Sequence, residues 1–239
     1  MNVVILNRAD SEFDAPASDL EIIRRATVTP EHPEYQAGKR LLDLLICVGC
    51  LPVALPLMLL AALAVAWDSP GPIFFVQERV GKGGRRFKMY KFRTMQANVD
   101  QSHHQAYMRA FVKGQTQANT GGSFKPASAS QITRVGRFLR LTSLDELPQI
   151  LNVLKGEMSI IGPRPNLAWE VDEYQLWHHA RLEVLPGITG LAQVHGRSSI
   201  PFEKIIRYDA EYVAKMSLAL DLKILWWTVR LLLRGIGVR

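Results

Sequence analysis

An uncharged apolar run from Leu44 to Trp67 constrains this chain more than any other feature. A helix that crosses the hydrocarbon core of a bilayer needs about 20 such residues. Pro52 and Pro56 interrupt the middle of the run, and each removes one helical hydrogen bond. Lys39 and Arg40 precede the run, and a second cluster of Lys and Arg residues follows it between positions 79 and 91.

The two basic flanks decide between membrane topologies. Positive residues mark the cytoplasmic side of a membrane segment, so a simple span would carry one flank to the wrong side. A helix that is broken at Pro52 and returns to the same leaflet keeps both flanks in the cytoplasm. Each arm would have about a dozen residues, roughly 18 Å, which reaches about halfway through the hydrocarbon core. We therefore expect a re-entrant membrane helix over residues 39–67, with a simple span and a buried helix of a soluble protein as the alternatives.

The C-terminal segment Asp221–Arg234 also predicts membrane contact. On a helical projection its basic residues form one narrow stripe, a tryptophan lies on either side, and the remaining arc is aliphatic. This pattern is typical of a helix in the membrane interface, and the alternative is a core helix with one solvated face. We expect Asp221 to be its N-cap. The basic residues are Lys223, Arg230 and Arg234, and the tryptophans are Trp226 and Trp227.

Composition limits the remaining choices. The chain of 239 residues has a net charge of +7 and a pI near 9.6, which favours an anionic partner: a nucleic acid, a phosphorylated substrate or a lipid surface. Its two cysteines, Cys47 and Cys50, lie in the apolar run and indicate no disulfide framework. The N-terminus lacks the pattern of a signal peptide. We expect a loosely ordered extension over residues 1–38 and a single domain over 39–239.

The soluble part predicts an α+β fold that is mainly helical. Ile73–Val80 and Arg86–Phe92 are strand-like runs joined by the glycine-rich stretch Gly81–Gly84, which is typical of a β-hairpin. Further on, the segment Pro163–Pro165, here called the Pro-Arg-Pro loop, holds Arg164 in extended backbone.

Two adjacent carboxylates, Asp145 and Glu146, stand before an amphipathic helix whose apolar residues recur with helical spacing up to Gly156. The helix can start with Ser143 in a capping box or with Asp145 as the cap. We prefer Asp145, because Pro148 then falls where no helical bond is lost. Either start places both acids at the positive end of a helix, which favours their ionised form. The alternative is a capped helix without chemistry.

Isolated arginines surround the acid pair in the sequence, and arginines in rigid loops suit bidentate phosphate binding. Adjacent carboxylates among phosphate binders suggest Mg²⁺, which takes oxygen ligands from few carboxylates and from phosphates. Neighbouring residues of a helix point in different directions, so one carboxylate can hold the metal while the other faces a phosphorus. The arginines are Arg93, Arg140, Arg164 and Arg197.

Together these motifs resemble the monotopic bacterial phosphoglycosyl transferases, the bacterial sugar transferases, in a short form without a large multi-span N-terminal region. The resemblance covers nearly all of the chain after the extension. Leu51 precedes Pro52 where some family members have a serine, which leaves the break point open. The matching stretches are KRLLDLLI, DSPGPIFFVQERVGKGGRRFKMYKFRTM, RVGRFLRLTSLDELPQILNVLKGEMSIIGPRP, LPGITGLAQVHGR and SLALDLKILWWTV.

The resemblance implies transfer of a sugar-1-phosphate from a UDP-sugar to undecaprenyl phosphate, with UMP released, at the cytoplasmic face of the bacterial inner membrane. It implies Asp145 and Glu146 as the catalytic residues, with Asp145 as the nucleophile of a covalent phospho-aspartate intermediate and Glu146 as the Mg²⁺ ligand, to which Asp145 can add a second carboxylate. Substrate binding is expected of Lys91, Arg93, Arg140, Arg164 and Arg197. The expected partners are the two substrates and the bilayer, with no nucleic acid, and homo-oligomerisation stays open. The alternative is a membrane-anchored component of polysaccharide assembly without catalysis.

Overall fold

The structure is a computed structural model, and it describes residues 33–96, 108–112, 131–196 and 200–234. These residues are mainly helical, with a small hairpin and a short parallel strand pair. Within these ranges, 3-10 segments at Lys82–Gly84, Leu144–Gln149 and Leu176–Glu183 join the regular elements. The elements are α1 Pro33–Asp68, β1 Phe74–Val80, β2 Arg86–Phe92, α2 Arg134–Thr142, α3 Ile150–Lys155, β3 Ser159–Ile161, α4 Ala168–Val171, β4 Gly187–Thr189, α5 Leu191–His195, α6 Phe202–Lys215 and α7 Leu218–Leu233.

The apolar run lies inside α1, which is helical throughout and contains both Pro52 and Pro56. The expected break at Pro52 is thus not an interruption of the helix, and the re-entrant topology stays a prediction. Most of the large apolar side chains of α1 are exposed, and only a narrow stripe from Asp43 to Val65 is buried. The helix begins at Pro33, so residues 33–38, which are expected to belong to the N-terminal extension, form its first turns.

Both ends of α1 make hydrogen bonds to the folded unit that follows it in the chain. Near its start, the Arg40 guanidinium donates to the carbonyl oxygens of Val153 and Leu154 at 2.6 and 2.8 Å. At its end, Asp68 accepts a hydrogen bond of 2.9 Å from the backbone N–H of Val135, in the first turn of α2. The apolar middle of α1 therefore lies between two attachments to one folded unit.

The predicted β-hairpin is confirmed. β1 and β2 pair in antiparallel register from Phe74 opposite Phe92 to Val80 opposite Arg86. Gly83 and Gly84 close the connection with positive φ, the backbone region that glycine adopts without steric cost. Because β2 packs against the 144–149 segment, the hairpin carries Lys91 to the acid pair.

The parallel pair β3–β4 positions the Pro-Arg-Pro loop. Ser159 lies opposite Gly187, and Ile161 lies opposite Thr189. Just after β3, the backbone of Gly162 comes very close to that of Gly187 in β4. A Cβ atom at Gly187 would lie 2.1 Å from the backbone nitrogen of Gly162, so only glycine allows this approach. The Pro-Arg-Pro loop leaves β3 directly after that contact.

The C-terminal helix corrects one prediction. α7 begins at Leu218, and Ser217 is its N-cap, with a side chain that accepts from the backbone of Leu220. Asp221 is not a cap: it is 0% exposed and accepts hydrogen bonds from side chains of α1 and α6. Ser217, about one turn earlier, caps the helix, and Asp221 instead accepts hydrogen bonds in a buried network. Trp226 is 65% exposed, and interfacial binding stays a prediction.

Candidate active site

The acid pair lies in the 3-10 segment Leu144–Gln149, which precedes α3. The α-helix itself begins only at Ile150, so neither Ser143 nor Asp145 caps it, although Ser143 directly precedes the 3-10 segment. Ser143 adopts the left-handed conformation with φ of 56° and ends α2, and its side chain makes no capping bond. The 3-10 segment begins at Leu144, before Asp145, and contains Pro148. The predicted end is confirmed, because Gly156 terminates α3 with φ of 79°.

Glu146 is held by two of the predicted cations. Lys91 donates to Glu146 Oε1 at 2.8 Å, and Arg164 Nη1 lies 3.8 Å from the same oxygen. Lys91 is largely buried, and this burial lowers its pKa even though the Glu146 carboxylate acts in the opposite direction. Arg164 is different, because its side chain is 55% exposed and open to a ligand. The structure therefore brings together strand β2, the acid pair and the Pro-Arg-Pro loop.

Asp145 has an uncommitted carboxylate. No hydrogen bond or ion pair reaches it from the residues that the structure describes. Burial, and then the neighbouring Glu146, raise its pKa to about 6, against the opposing effect of Lys91, Arg140 and Arg164. The expectation that the helix start favours ionisation is therefore wrong in direction. At neutral pH a pKa of about 6 still leaves most of the carboxyl groups ionised, with a more basic oxygen than an exposed aspartate has.

Arg140 lies on the Asp145 side of the site. Its Nε donates to Thr94 Oγ1 at 2.8 Å, and its terminal nitrogens make no hydrogen bond within the described ranges. Close packing sets this geometry, because a Cβ atom at Gly136 would lie 2.1 Å from the carbonyl oxygen of Thr94. The fork of Arg140 is thus fixed at its base and open at its tip.

The Pro-Arg-Pro loop is supported by residues that sequence reasoning missed. Arg181, which is 4% exposed, donates to the carbonyl oxygen of Arg164 at 2.7 Å and to the hydroxyl of Tyr174 at 2.9 Å. Asp209 lies 2.9 Å from Arg181 Nη2 and balances its charge. On the other side, Arg79 donates to the carbonyl oxygen of Pro165 at 3.2 Å. Nothing in the sequence spacing links these residues to the loop.

Two predicted substrate-binding arginines are not brought to the acid pair by the described contacts. Arg93 is 5% exposed, and its guanidinium donates to the carbonyl oxygens of Pro70 and Ser69 and to the Ser69 hydroxyl. It therefore fastens the hairpin to the end of α1, and a role in substrate binding stays a prediction. Arg197 lies outside the described residues.

Comparison with known proteins gives the family. A family model described as bacterial sugar transferase matches residues 34–235. The chain is 39% identical over 213 residues to the UDP-N-acetylgalactosamine-undecaprenyl-phosphate N-acetylgalactosaminephosphotransferase of Aeromonas hydrophila, covering 87% of this chain and 46% of that protein. It is 44% identical over 199 residues to the UDP-glucose:undecaprenyl-phosphate glucose-1-phosphate transferase of Xanthomonas campestris pv. campestris, covering 80% and 38%.

A relative with the same name from Caulobacter vibrioides is 40% identical over 203 residues, which cover 82% of this chain and 69% of that protein. The chain spans less than half the length of the Aeromonas and Xanthomonas relatives. Since the family model covers most of the chain, this protein belongs to the bacterial sugar transferase family.

Proposed function

We propose that this protein transfers a sugar-1-phosphate from a UDP-sugar to undecaprenyl phosphate and releases UMP, as the first membrane step of a surface polysaccharide or glycoconjugate. The observation that carries the proposal is the pairing of an uncommitted carboxylate with a committed one. Asp145 has no hydrogen-bond partner among the described residues, whereas Glu146 is held by Lys91 and faces Arg164. The activities for which the Aeromonas and Xanthomonas relatives are named supply the substrate classes.

The chemistry proceeds in two displacements at one phosphorus. A carboxylate oxygen of Asp145 attacks the phosphorus that bears the sugar, a new O–P bond forms, and the bond to UMP breaks with its electron pair leaving on UMP. An oxygen of undecaprenyl phosphate then attacks the same phosphorus and displaces Asp145, whose carboxylate is regenerated. A covalent intermediate of this kind replaces one difficult transfer with two easier ones.

The charges of the site suit this reaction. Arg164 and the open tip of Arg140 can stabilise the negative charge that develops on the phosphates, because guanidinium groups bind phosphate oxygens in a bidentate manner. Lys91 donates to Glu146 and not to Asp145, so it leaves the carboxylate of the nucleophile unoccupied. The raised pKa of Asp145, about 6, marks a more nucleophilic carboxylate that is still largely ionised at pH 7.

The residues present fit Mg²⁺, which uses one or two protein carboxylates and completes its shell with phosphate and water oxygens. Asp145 and Glu146 would hold it, and it would neutralise charge on the diphosphate. Among the described residues no group of three or more His, Cys, Asp or Glu could hold a metal ion by itself, which agrees with an ion that binds together with its substrate.

The attachments of α1 support a monotopic arrangement, in which both flanks of the apolar run stay on one side of the membrane. A straight helix through the bilayer would carry its ends to opposite sides, about 30 Å apart. Here Arg40 and Asp68, which lie on either side of the apolar run, both make hydrogen bonds to the same folded unit. We infer that both flanks stay on one side and that the exposed apolar middle of α1 enters a single leaflet, where a lipid-linked phosphate is within reach.

Release of UMP tests the proposal. Purified protein with undecaprenyl phosphate, Mg²⁺ and a panel of UDP-sugars should release UMP with at least one sugar, and Asp145→Asn should abolish this release. Glu203→Gln is a matched control, because Glu203 is an exposed acid that pairs only with Arg207 on the surface of α6 among the described contacts. A protein that binds bilayers but releases no UMP with any donor would support the assembly component without catalysis.

A further inference from the structure

An amide-bearing side chain, that of Gln149, lies beside the acid pair. Gln149 is the last residue of the 3-10 segment, and it is 2% exposed. Side chains three positions apart eclipse one another on a 3-10 helix, so Gln149 lies on the face that carries Glu146. Gln149, Lys91, Glu146 and Arg164 line the same cleft. The amide is therefore part of the wall that a ligand of the acid pair would meet.

The Gln149 amide has no hydrogen-bond partner in the described part of the chain. Because Gln149 is only 2% exposed, its amide loses most of its bonds to water without replacement inside the protein, which destabilises the folded state. It is not sealed in, since neither of its polar atoms is among the fully enclosed ones that lack a partner. The donor and acceptor of Gln149 thus open onto the cleft.

Asn152, one turn further along, is the contrasting case. It is 0% exposed, and all of its amide is used: Nδ2 donates to the carbonyl oxygen of Lys88 and to Glu157 at 2.7 Å each, and Oδ1 accepts from the N–H of Tyr90. The Asn152 amide is therefore structural. The Gln149 amide differs because it lies in the wall of the cleft beside Glu146 and Arg164, where a ligand can supply its partners.

We propose that Gln149 is a substrate-binding residue that donates from Nε2 to a non-bridging oxygen of the phosphoryl group that carries the sugar. This inference rests on the proposed function. Gln149 lines the same cleft as Lys91 and Arg164, and the Asp145 carboxyl feels the charges of both of these cations, so a phosphoryl group between Asp145 and Arg164 comes within reach of the amide. The same phosphorus takes part in both displacements, and Gln149 therefore acts in both.

The choice of ligand follows from the charges of the cleft. Lys91 is occupied by Glu146, and Arg164 supplies positive charge from an exposed position. A neutral amide donor adds direction to phosphate binding without repelling either cation. A sugar hydroxyl would not need the cations that share this wall, which makes a phosphoryl oxygen the better match.

The test substitutes Gln149→Met, which keeps length and removes both polar atoms. The melting temperature of Gln149→Met should equal or exceed that of the wild type, because an unmet amide is lost. Asn152→Leu is the matched control, and it should melt lower, because Lys88, Glu157 and Tyr90 lose their partner. UMP release per folded enzyme should fall by about 10- to 100-fold in Gln149→Met, the range for a hydrogen bond to a charged group.

Two measurements separate the outcomes. Adduct formation without acceptor, and adduct consumption after addition of undecaprenyl phosphate, should both slow in Gln149→Met. In the inactive Asp145→Asn background, calorimetric binding of the UDP-sugar should weaken by a similar factor, a readout that does not require the covalent mechanism. Failure of the wild type to form any adduct would count against the proposed function alone, provided that Gln149→Met still weakened donor binding.

The inference is overturned by any of three results: unchanged activity and donor binding in Gln149→Met, a melting temperature lowered as far as in Asn152→Leu with activity following the folded fraction, or slowing of adduct formation alone. The last result would place the amide on the leaving UMP.

Discussion

Loss of the buried Asp221 carboxylate should cost this protein much more stability than loss of any surface acid. Asp221 is 0% exposed and accepts three hydrogen bonds: from Tyr212 at 2.8 Å, and from Tyr35 and Lys39 at 3.0 Å each. The partners come from α1 and α6, so one carboxylate on α7 joins three helices. Asp221→Ala removes the acceptor and leaves the Lys39 ammonium, whose side chain is 13% exposed, without its counter-charge.

Breaking a buried ion pair on one side costs about 3–5 kcal/mol, because the remaining charge stays desolvated. For a chain of this size, 1 kcal/mol corresponds to a shift of about 2–4 °C in the melting temperature, which predicts a fall of about 6–20 °C. Glu211→Ala is the matched control. Glu211 pairs with Lys215 one helical turn away, both side chains are exposed, and an exposed pair of this kind contributes about 0.3–0.5 kcal/mol.

Thermal unfolding of detergent-solubilised protein, followed by tryptophan fluorescence, measures both variants. A double variant, Lys39→Met with Asp221→Leu, should recover most of the loss, because no unpaired charge stays buried. Equal melting temperatures for Asp221→Ala and Glu211→Ala would refute the reasoning and would mean that the buried network contributes nothing beyond its surface counterpart.

Three further predictions concern the site and the topology. Arg181→Met should lower both the melting temperature and UMP release. Adding Asp209→Leu should restore the melting temperature but not the activity, because the Pro-Arg-Pro loop still lacks the hydrogen bond that Arg181 donates. Recovery of both the melting temperature and the activity would assign Arg181 a structural role only. In EDTA, Asp145→Asn should have a higher melting temperature than the wild type at pH 8. This difference should shrink as the pH falls through about 6, because the Asp145 carboxyl, with its raised pKa, becomes protonated in the folded state and no longer bears the cost of a buried charge. A difference in melting temperature that is independent of pH would contradict the assigned pKa. In a cysteine-free background, Gln36→Cys and Lys82→Cys should both react with an impermeant thiol reagent only from the cytoplasmic side, and labelling of either from the periplasm would indicate a span.

Local patterns in the sequence predicted the elements whose causes are local. Alternation and a glycine-rich connection are enough to specify the hairpin, and Gly156 is enough to end α3. Glu146 and Lys91 could be assigned to one site only through the family resemblance, because 55 positions separate them in the chain. The pairing itself depends on the packing of β2 against the 3-10 segment.

The errors arose where distant contacts decide. Asp221 looked like a cap because its partners Tyr35 and Lys39 precede it by 186 and 182 positions, so helical periodicity gave no sign of them. Ser143 matched a capping box, but α2 needed a left-handed residue to end, and that conformation turns its side chain away from a capping role. Gln149 could have been found, because its spacing of three from Glu146 places both on one face of a 3-10 segment.

The central claim is that Asp145 carries the sugar phosphate covalently between donor and acceptor. Its most direct test is a single turnover with wild-type protein and a UDP-sugar in the absence of undecaprenyl phosphate, read by UMP release and by peptide mass spectrometry. The account predicts no more than one UMP per enzyme and a phospho-sugar mass on the peptide that contains Asp145, with neither in Asp145→Asn and both in Glu203→Gln. Release of UMP only after the acceptor is added, with no adduct trapped at any time, would contradict it and would indicate direct attack by the lipid phosphate.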